Sequence, residues 1–166
     1  MAEPEGFREF VASRSPALLR TAWMLTGEQQ LAEDLLQTAL ARTWPHWSRI
    51  RDSYPERYVR TVMVRTHGAW WRRRWRSELP VERVPEVREP DAFCWVAERS
   101  RLEAALRSLP LRQRQVVVLR YYEDLSEQET ADHLGCSVGT VKSQASRGLA
   151  KLRVALGRPA RTENVT

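Results

Sequence analysis

Apolar residues in this chain recur every three or four positions and seldom alternate, so the pattern predicts helices throughout. Phe7, Phe10 and Val11 begin one apolar face. Pro16 suits the first turn of a second helix, which continues through Leu18, Leu19, Ala22, Trp23 and Leu25 and ends at Thr26 and Gly27. Leu31, Leu35, Leu36, Ala39, Leu40, Thr43 and Trp44 make a broad stripe on the next helix, which Pro45 stops. The mostly polar residues 46–55 read as a loop. Tyr58, Val59, Val62, Met63 and Thr66 then open a helix that runs into Trp70, Trp71 and a run of arginines.

The pattern changes at residues 79–90, where Pro80, Pro85 and Pro90 alternate with charges. Proline has no N–H to donate and biases its predecessor away from helix, so an extended acidic linker is expected there. Beyond it, Leu102, Ala105, Leu106 and Leu109 predict a helix ended by Pro110. Residues 113–122 carry Val116, Val117, Val118, Leu119 and Tyr122, and read as a strongly apolar helix. The expected fold is all-α: two small helical domains at 5–78 and 98–157, a linker at 79–97 and a loose tail at 158–166. A domain of about 70 residues is marginal alone, so partner binding should help hold it.

Residues 125–152 read LSEQETADHLGCSVGTVKSQASRGLAKL and predict a helix-turn-helix. Ser126 and Glu129 form a capping box that starts one helix. Ala131 is small enough for two helices to cross, and Gly135 supplies a turn of positive φ. Ser137 caps the second helix. Val138, Val141, Ala145, Leu149 and Leu152 line its inner face at spacings of three, four, four and three. The outer face shows Thr140, Lys142, Ser143, Gln144, Ser146 and Arg147, short polar groups and cations suited to phosphates and base edges in a major groove.

Charge supports a nucleic-acid partner through its distribution more than its total of +6. Residues 51–76 hold eight arginines against two acids; residues 78–98 hold six acids against Arg83 and Arg88; residues 140–161 hold six cations and no acid. Two basic blocks separated by an acidic one predict two anion-binding surfaces. In the first block Trp70, Trp71 and Trp75 interleave with Arg72, Arg73, Arg74 and Arg76, a mixture that stacks on unpaired bases and neutralises phosphates. Of the adjacent Trp70 and Trp71, one is expected to turn into the core. Cys94 and Cys136 match no metal-ligand spacing, and Cys136 reads as a small core residue. His46, His67 and His133 have no partner at ligand spacing, so neither metal nor cofactor is expected. No apolar run is long enough to span a membrane, and residues 1–6 lack the features of a signal peptide, so a cytoplasmic location is expected.

The stretch AEDLLQTALARTW at residues 32–44, with YVRTVMVRTHGAWWRRRWR at 58–76 and RQRQVVVLRYYEDLSEQETADHLGCSVGTVKSQASRGLAKLR at 112–153, resembles the extracytoplasmic-function (ECF) sigma factors of the sigma-70 family, most closely the actinobacterial sigma-E branch. The resemblance covers roughly residues 5–156. It implies a sigma factor with core RNA polymerase and promoter DNA as partners. Asp34, Gln37, Thr38 and Arg42 would face the polymerase clamp. Arg65, Trp70, Trp71, Arg72, Arg73 and Arg74 would open and read the −10 element, and Thr140, Lys142, Ser143, Ser146 and Arg147 would read the −35 element. The polymerase would supply all bond-making chemistry. Many members are held by an anti-sigma factor, and no residue here identifies one. Two departures stand out: Arg65 replaces an Asn common at that position, and Ala69 replaces a frequent acid. Residues 46–55, with Trp47, Arg49 and Tyr54, occupy the place of a loop that can receive a flipped base. A stand-alone helix-turn-helix regulator is the alternative, but residues 1–100 show no βαβ pattern of a receiver domain. An enzyme acting on nucleic acid would need paired acids or a nucleophile with a base, and the acids here are scattered.

Overall fold

The computed structural model describes residues 2–76 and 94–157, with side chains at 2–73 and 100–157. Most of the expected linker and the tail at 158–166 lie outside the described residues. The described elements are helices: α1 (Phe7–Thr26), α2 (Gln29–Thr43), α3 (Trp47–Ile50), α4 (Pro55–Arg76), α5 (Cys94–Ser108), α6 (Leu111–Val117), α7 (Glu127–Leu134) and α8 (Val138–Ala155). A 3-10 turn, Trp44–His46, joins α2 to α3, and a π-helical turn, Val118–Tyr122, extends α6.

Four sequence expectations change. Pro16 sits inside a continuous α1 instead of starting a second helix. It is exposed, so its missing N–H falls on the solvent side, while Phe7, Phe10, Leu18, Ala22 and Leu25 pin both halves of the helix into the core. Residues 46–55 are not simply a loop. Trp47 is buried on α3, stacks edge-on with Phe7 at 5.2 Å and donates its indole N–H to the Glu5 carbonyl at 2.8 Å. Helix α5 begins at Cys94, eight residues before the first periodic leucine and inside the expected linker. Cys136 is half-buried against the core instead of fully within it.

The N-terminal helices α1, α2 and α4 pack on one another, and in the C-terminal half α8 packs on both α6 and α7. The halves also pack together: α4 lies on α7, and α1 on α5 and the π turn. One apolar cluster therefore runs from Phe7 to Leu152 across both halves. Helix α6 sits at the junction, and every residue from Gln113 to Leu119 is buried. Two of its polar residues, Arg114 and Gln115, reach across the seam. The buried Arg114 guanidinium donates to the carbonyls of Leu106 at 2.8 Å, Arg107 at 2.8 Å and Leu25 at 3.0 Å, capping the ends of α5 and α1 together. Gln115 donates to the Val64 carbonyl at 3.4 Å.

Candidate nucleic-acid and polymerase interface

The helix-turn-helix forms as its residues dictate. The Glu129 amide donates to the Ser126 hydroxyl at 3.1 Å, and the Ser126 amide to the Glu129 carboxylate at 2.8 Å. Those two groups hold the Glu129 carboxyl below its usual range, the Ser126 amide contributing most. Gly135 takes φ 64° and returns its N–H to Ala131, which is buried where α7 meets α8. Ser137 accepts from the Thr140 amide at 3.1 Å and starts α8. Val141, Ala145 and Leu152 face inward and are buried, while Val138 and Leu149 are half-buried. Gly148, which the spacing did not single out, carries the closest approach: a Cβ there would stand 2.8 Å from a Val117 methyl.

With that face fixed, the other points outward. Lys142, Ser143, Ser146 and Arg147 are exposed, and Thr140 is half-buried over the turn. Lys142 pairs loosely with Glu127 at 3.7 Å, both in solvent, so the pair costs little to break.

Helix α4 divides into faces. Val59, Met63 and Thr66 are buried, and Trp70 packs against the core, which fulfils the expectation that one of the two adjacent tryptophans turns inward. Trp71 is half-buried on the neighbouring face, and Arg65, Arg72 and Arg73 are exposed. Arg74 continues the same helix. The side nearest the C-terminal half carries Arg57, Arg60, Thr61, Val64 and His67. Arg57 pairs with Asp132 at 3.8 Å, Arg60 with Glu123 at 2.9 Å, and Thr61 hydrogen-bonds the His133 ring. Burial pushes the His67 imidazole down to about 4, aided by Arg114, and does the same to His133, aided by Arg57 and Arg60. None of these interfacial residues was singled out by the sequence pattern. Their one signal was polarity at positions flanking apolar runs.

Tyr54, proposed beside a base-receiving loop, is 84% exposed with φ 51°, and Trp47 belongs to the core, so the described residues bring no aromatic pocket together there. On α2, Asp34 and Gln37 are exposed opposite the buried Leu35, Leu36 and Ala39; Thr38 is half-buried. Arg42 is exposed but donates to Thr66 on α4 at 2.9 Å.

Comparisons with known proteins agree across the chain. The family model "Sigma-70 region 2" matches residues 10–77, and "Sigma-70, region 4" matches residues 99–152. The RNA polymerase sigma-E factor of Streptomyces coelicolor is 47% identical over 154 residues, covering 92% of this chain and 87% of the relative. The ECF RNA polymerase sigma factor SigL of Mycobacterium tuberculosis is 31% identical over 161 residues, covering 93% and 91%. Among solved structures, the sigma factor RpoE in complex with the anti-sigma factor NepR from Bartonella quintana shares the fold, with a TM-score of 0.72 and 24% identity over 93% of this chain and 98% of that one. A stand-alone helix-turn-helix regulator leaves the match at residues 10–77 unexplained. With regions 2 and 4 both present and relatives spanning nearly its whole length, the chain belongs to the sigma-70 family as an ECF RNA polymerase sigma factor.

Proposed function

We propose that α8 reads the −35 element, with Thr140, Lys142, Ser143, Ser146 and Arg147 in the major groove. Its sharply capped start and solvated polar face support this reading, since a groove-entering helix needs short polar groups and cations on one side. In the same reading α4 serves the −10 element. Arg65, Arg72, Arg73 and Arg74 neutralise phosphates, Trp71 stacks on a base of the opened strand, and Trp70 steadies the helix from the core side. Asp34, Gln37, Thr38 and Arg42 on α2 meet core polymerase. Residues 5–78 act as region 2 and 98–157 as region 4. The chain works in the cytoplasm, lowers the cost of finding and opening a promoter, and leaves all bond making to the polymerase. An anti-sigma factor is a candidate partner, because the solved relatives include sigma factors bound to one.

The observation that carries the reading is the pair of exposed basic faces, one on each half, beside an exposed acidic and polar face on α2. In vitro transcription with core polymerase from the source organism, with start sites mapped genome-wide, tests it. Starts should share two upstream elements at a fixed spacing. Starts with no common −35 sequence would remove α8 from the assignment.

A further inference from the structure

We propose that Arg42 is a positioning residue for promoter reading. By holding Thr66 of the neighbouring helix it fixes the rotation of α4 about its own axis, and with it the direction in which Arg65 and Arg72 meet the −10 element. The inference rests on the assignment of α4 to that element.

Arg42 stands in the last turn of α2, which packs on α1 and α4. Asp34 marks the outward side of that helix, and Leu35 and Ala39 mark the buried side. At 3.6 residues per turn Arg42 lies about 80° round from Asp34 but about 20° from Leu35, so its Cα sits over the buried stripe. A long cationic side chain at such a border lays its stem along apolar surface and carries its head to the edge. Here the head ends on α4, where the guanidinium donates to Thr66 Oγ1 at 2.9 Å. Arg42 is exposed and Thr66 is 1% exposed, so a group that reaches solvent closes on a buried one. Buried hydroxyls are kept where a hydrogen bond is made. A guanidinium offers donors alone, in a rigid planar fork, so Thr66 is the acceptor and its oxygen sets where on α4 the fork can close.

Thr66 is well placed to hold that helix. Met63, three residues before it, and Trp70, four residues after, lie on the same side and pack in the core. Arg65 and Arg72, seven positions apart, share one exposed stripe roughly 110° round from Thr66. The bond to Arg42 therefore stands at a fixed angle from the stripe that meets DNA. A turn of α4 by about 20° moves side-chain tips, at a radius of about 5–6 Å, by about 2 Å. That is enough to take a guanidinium out of hydrogen-bonding range of a phosphate or a base. Apolar burial is non-directional and tolerates such a turn better than a hydrogen bond does. Packing at Met63 and Trp70 thus holds α4 in place, and the Arg42–Thr66 bond holds its angle.

Holoenzyme preformed from the full chain and core polymerase tests this, so that affinity for the core does not enter. Permanganate footprinting reads strand opening on a promoter mapped with the wild-type chain, and on a copy with one −10 base changed. Thr66→Val keeps the shape of the side chain and removes the acceptor. It should open the mapped promoter about tenfold less, the scale of one hydrogen bond to a charged group. Its preference for the mapped promoter over the changed copy should shrink as well. Thr66→Ser, which restores the acceptor, should open it as the wild type does. Arg42→Ala should show the same loss as Thr66→Val, and the double variant should open no less than Arg42→Ala alone. Normal opening by Thr66→Val, or losses that multiply in the double variant, overturns the inference. So does a loss by the same factor on both promoters, because a chain that is merely less stable loses active molecules without changing its preference. Arg72→Ala is the control on α4. If it opens both promoters as the wild type does, the assignment of α4 to the −10 element falls. If it is impaired while the Arg42 and Thr66 variants are not, that assignment stands and the positioning role falls.

Discussion

Single residues at the exposed faces carry separable consequences. Arg147 has no acid near it on α8 and points to solvent. Arg147→Ala should therefore leave folding intact and cost about 1–3 kcal/mol of promoter affinity if the guanidinium is bidentate to a guanine. If it meets only phosphate, affinity should fall equally on all sequences and the salt slope should drop by about one unit. Unchanged affinity and slope in a filter-binding titration would take Arg147 out of the interface. Asp34→Arg changes only the exposed side of α2, where, among the described residues, it loses the 3.2 Å contact from Gln30. It should weaken pull-down of core polymerase without lowering Tm. Gly148 argues the other way. Alanine ordinarily favours a helix over glycine by about 1 kcal/mol. Here the new methyl would press on a Val117 methyl at 2.8 Å and on the Gln113 carbonyl at 3.4 Å. Gly148→Ala should destabilise by about 1–2 kcal/mol, the usual scale of overpacking, and a raised Tm would contradict that close crossing of α6 and α8.

At the scale of elements, legibility followed locality. The capping box at Ser126 and Glu129, the turn at Gly135 and the cap at Ser137 are written in residues close in sequence, and each formed as expected. The inner stripe of α8 and the exposed face opposite followed from the same register. What failed depended on distant packing. Pro16 reads locally as a start, yet the cores on either side of it hold α1 continuous. Trp47 reads as a loop aromatic, yet Phe7 and Phe10 enclose it. Helix α6 reads as apolar, and nothing local says that Gln113, Arg114 and Gln115 are buried too, because what covers them is distant in sequence: Gly148 of α8 lies against Gln113, α5 and the end of α1 receive Arg114, and α4 receives Gln115. Helix α4 combines both cases: its inner stripe was legible, but the face given to α7 was not. The outward part of α4 gives a further prediction. Trp71→Ala should slow strand separation and leave closed-complex affinity largely intact, since a ring has little to stack on in a paired duplex, whereas Arg72→Ala and Arg73→Ala should weaken closed and open complexes alike. Permanganate footprinting on a promoter carrying a pre-melted bubble should show rescue of the tryptophan variant and incomplete rescue of the arginine variants. Loss of helix content in Trp71→Ala would assign the ring to packing instead.

For the whole molecule, the seam between the halves sets a dependence on pH. His67 and His133 are both buried there, and burial pushes each down to about 4. Arg114 adds to the effect at His67; Arg57, Arg60 and Arg65 add to it at His133, against a smaller opposing pull from Glu129. In the unfolded chain a histidine takes its proton near 6.5. Between pH 6.5 and about 4 the unfolded chain therefore binds protons that the folded one refuses, and stability must fall as the pH falls. The contribution is fully present above 6.5, is lost progressively down to about 4, and changes no further below that. At about 1.4 kcal/mol per unit, His67 alone is worth on the order of 3 kcal/mol across the window, a large part of a small protein's margin. Because both rings lie where α4 meets α6 and α7, the loss should appear first as separation of the halves, with helix content retained. Scattering at pH 7 and pH 4.5 should show expansion on acidification while far-ultraviolet circular dichroism stays nearly constant. His67→Gln combined with His133→Asn removes both titrating groups, so the remaining slope of Tm against pH across this window should flatten. A double variant that keeps the full wild-type slope would mean that the carboxylates, not the seam histidines, govern the response to acid.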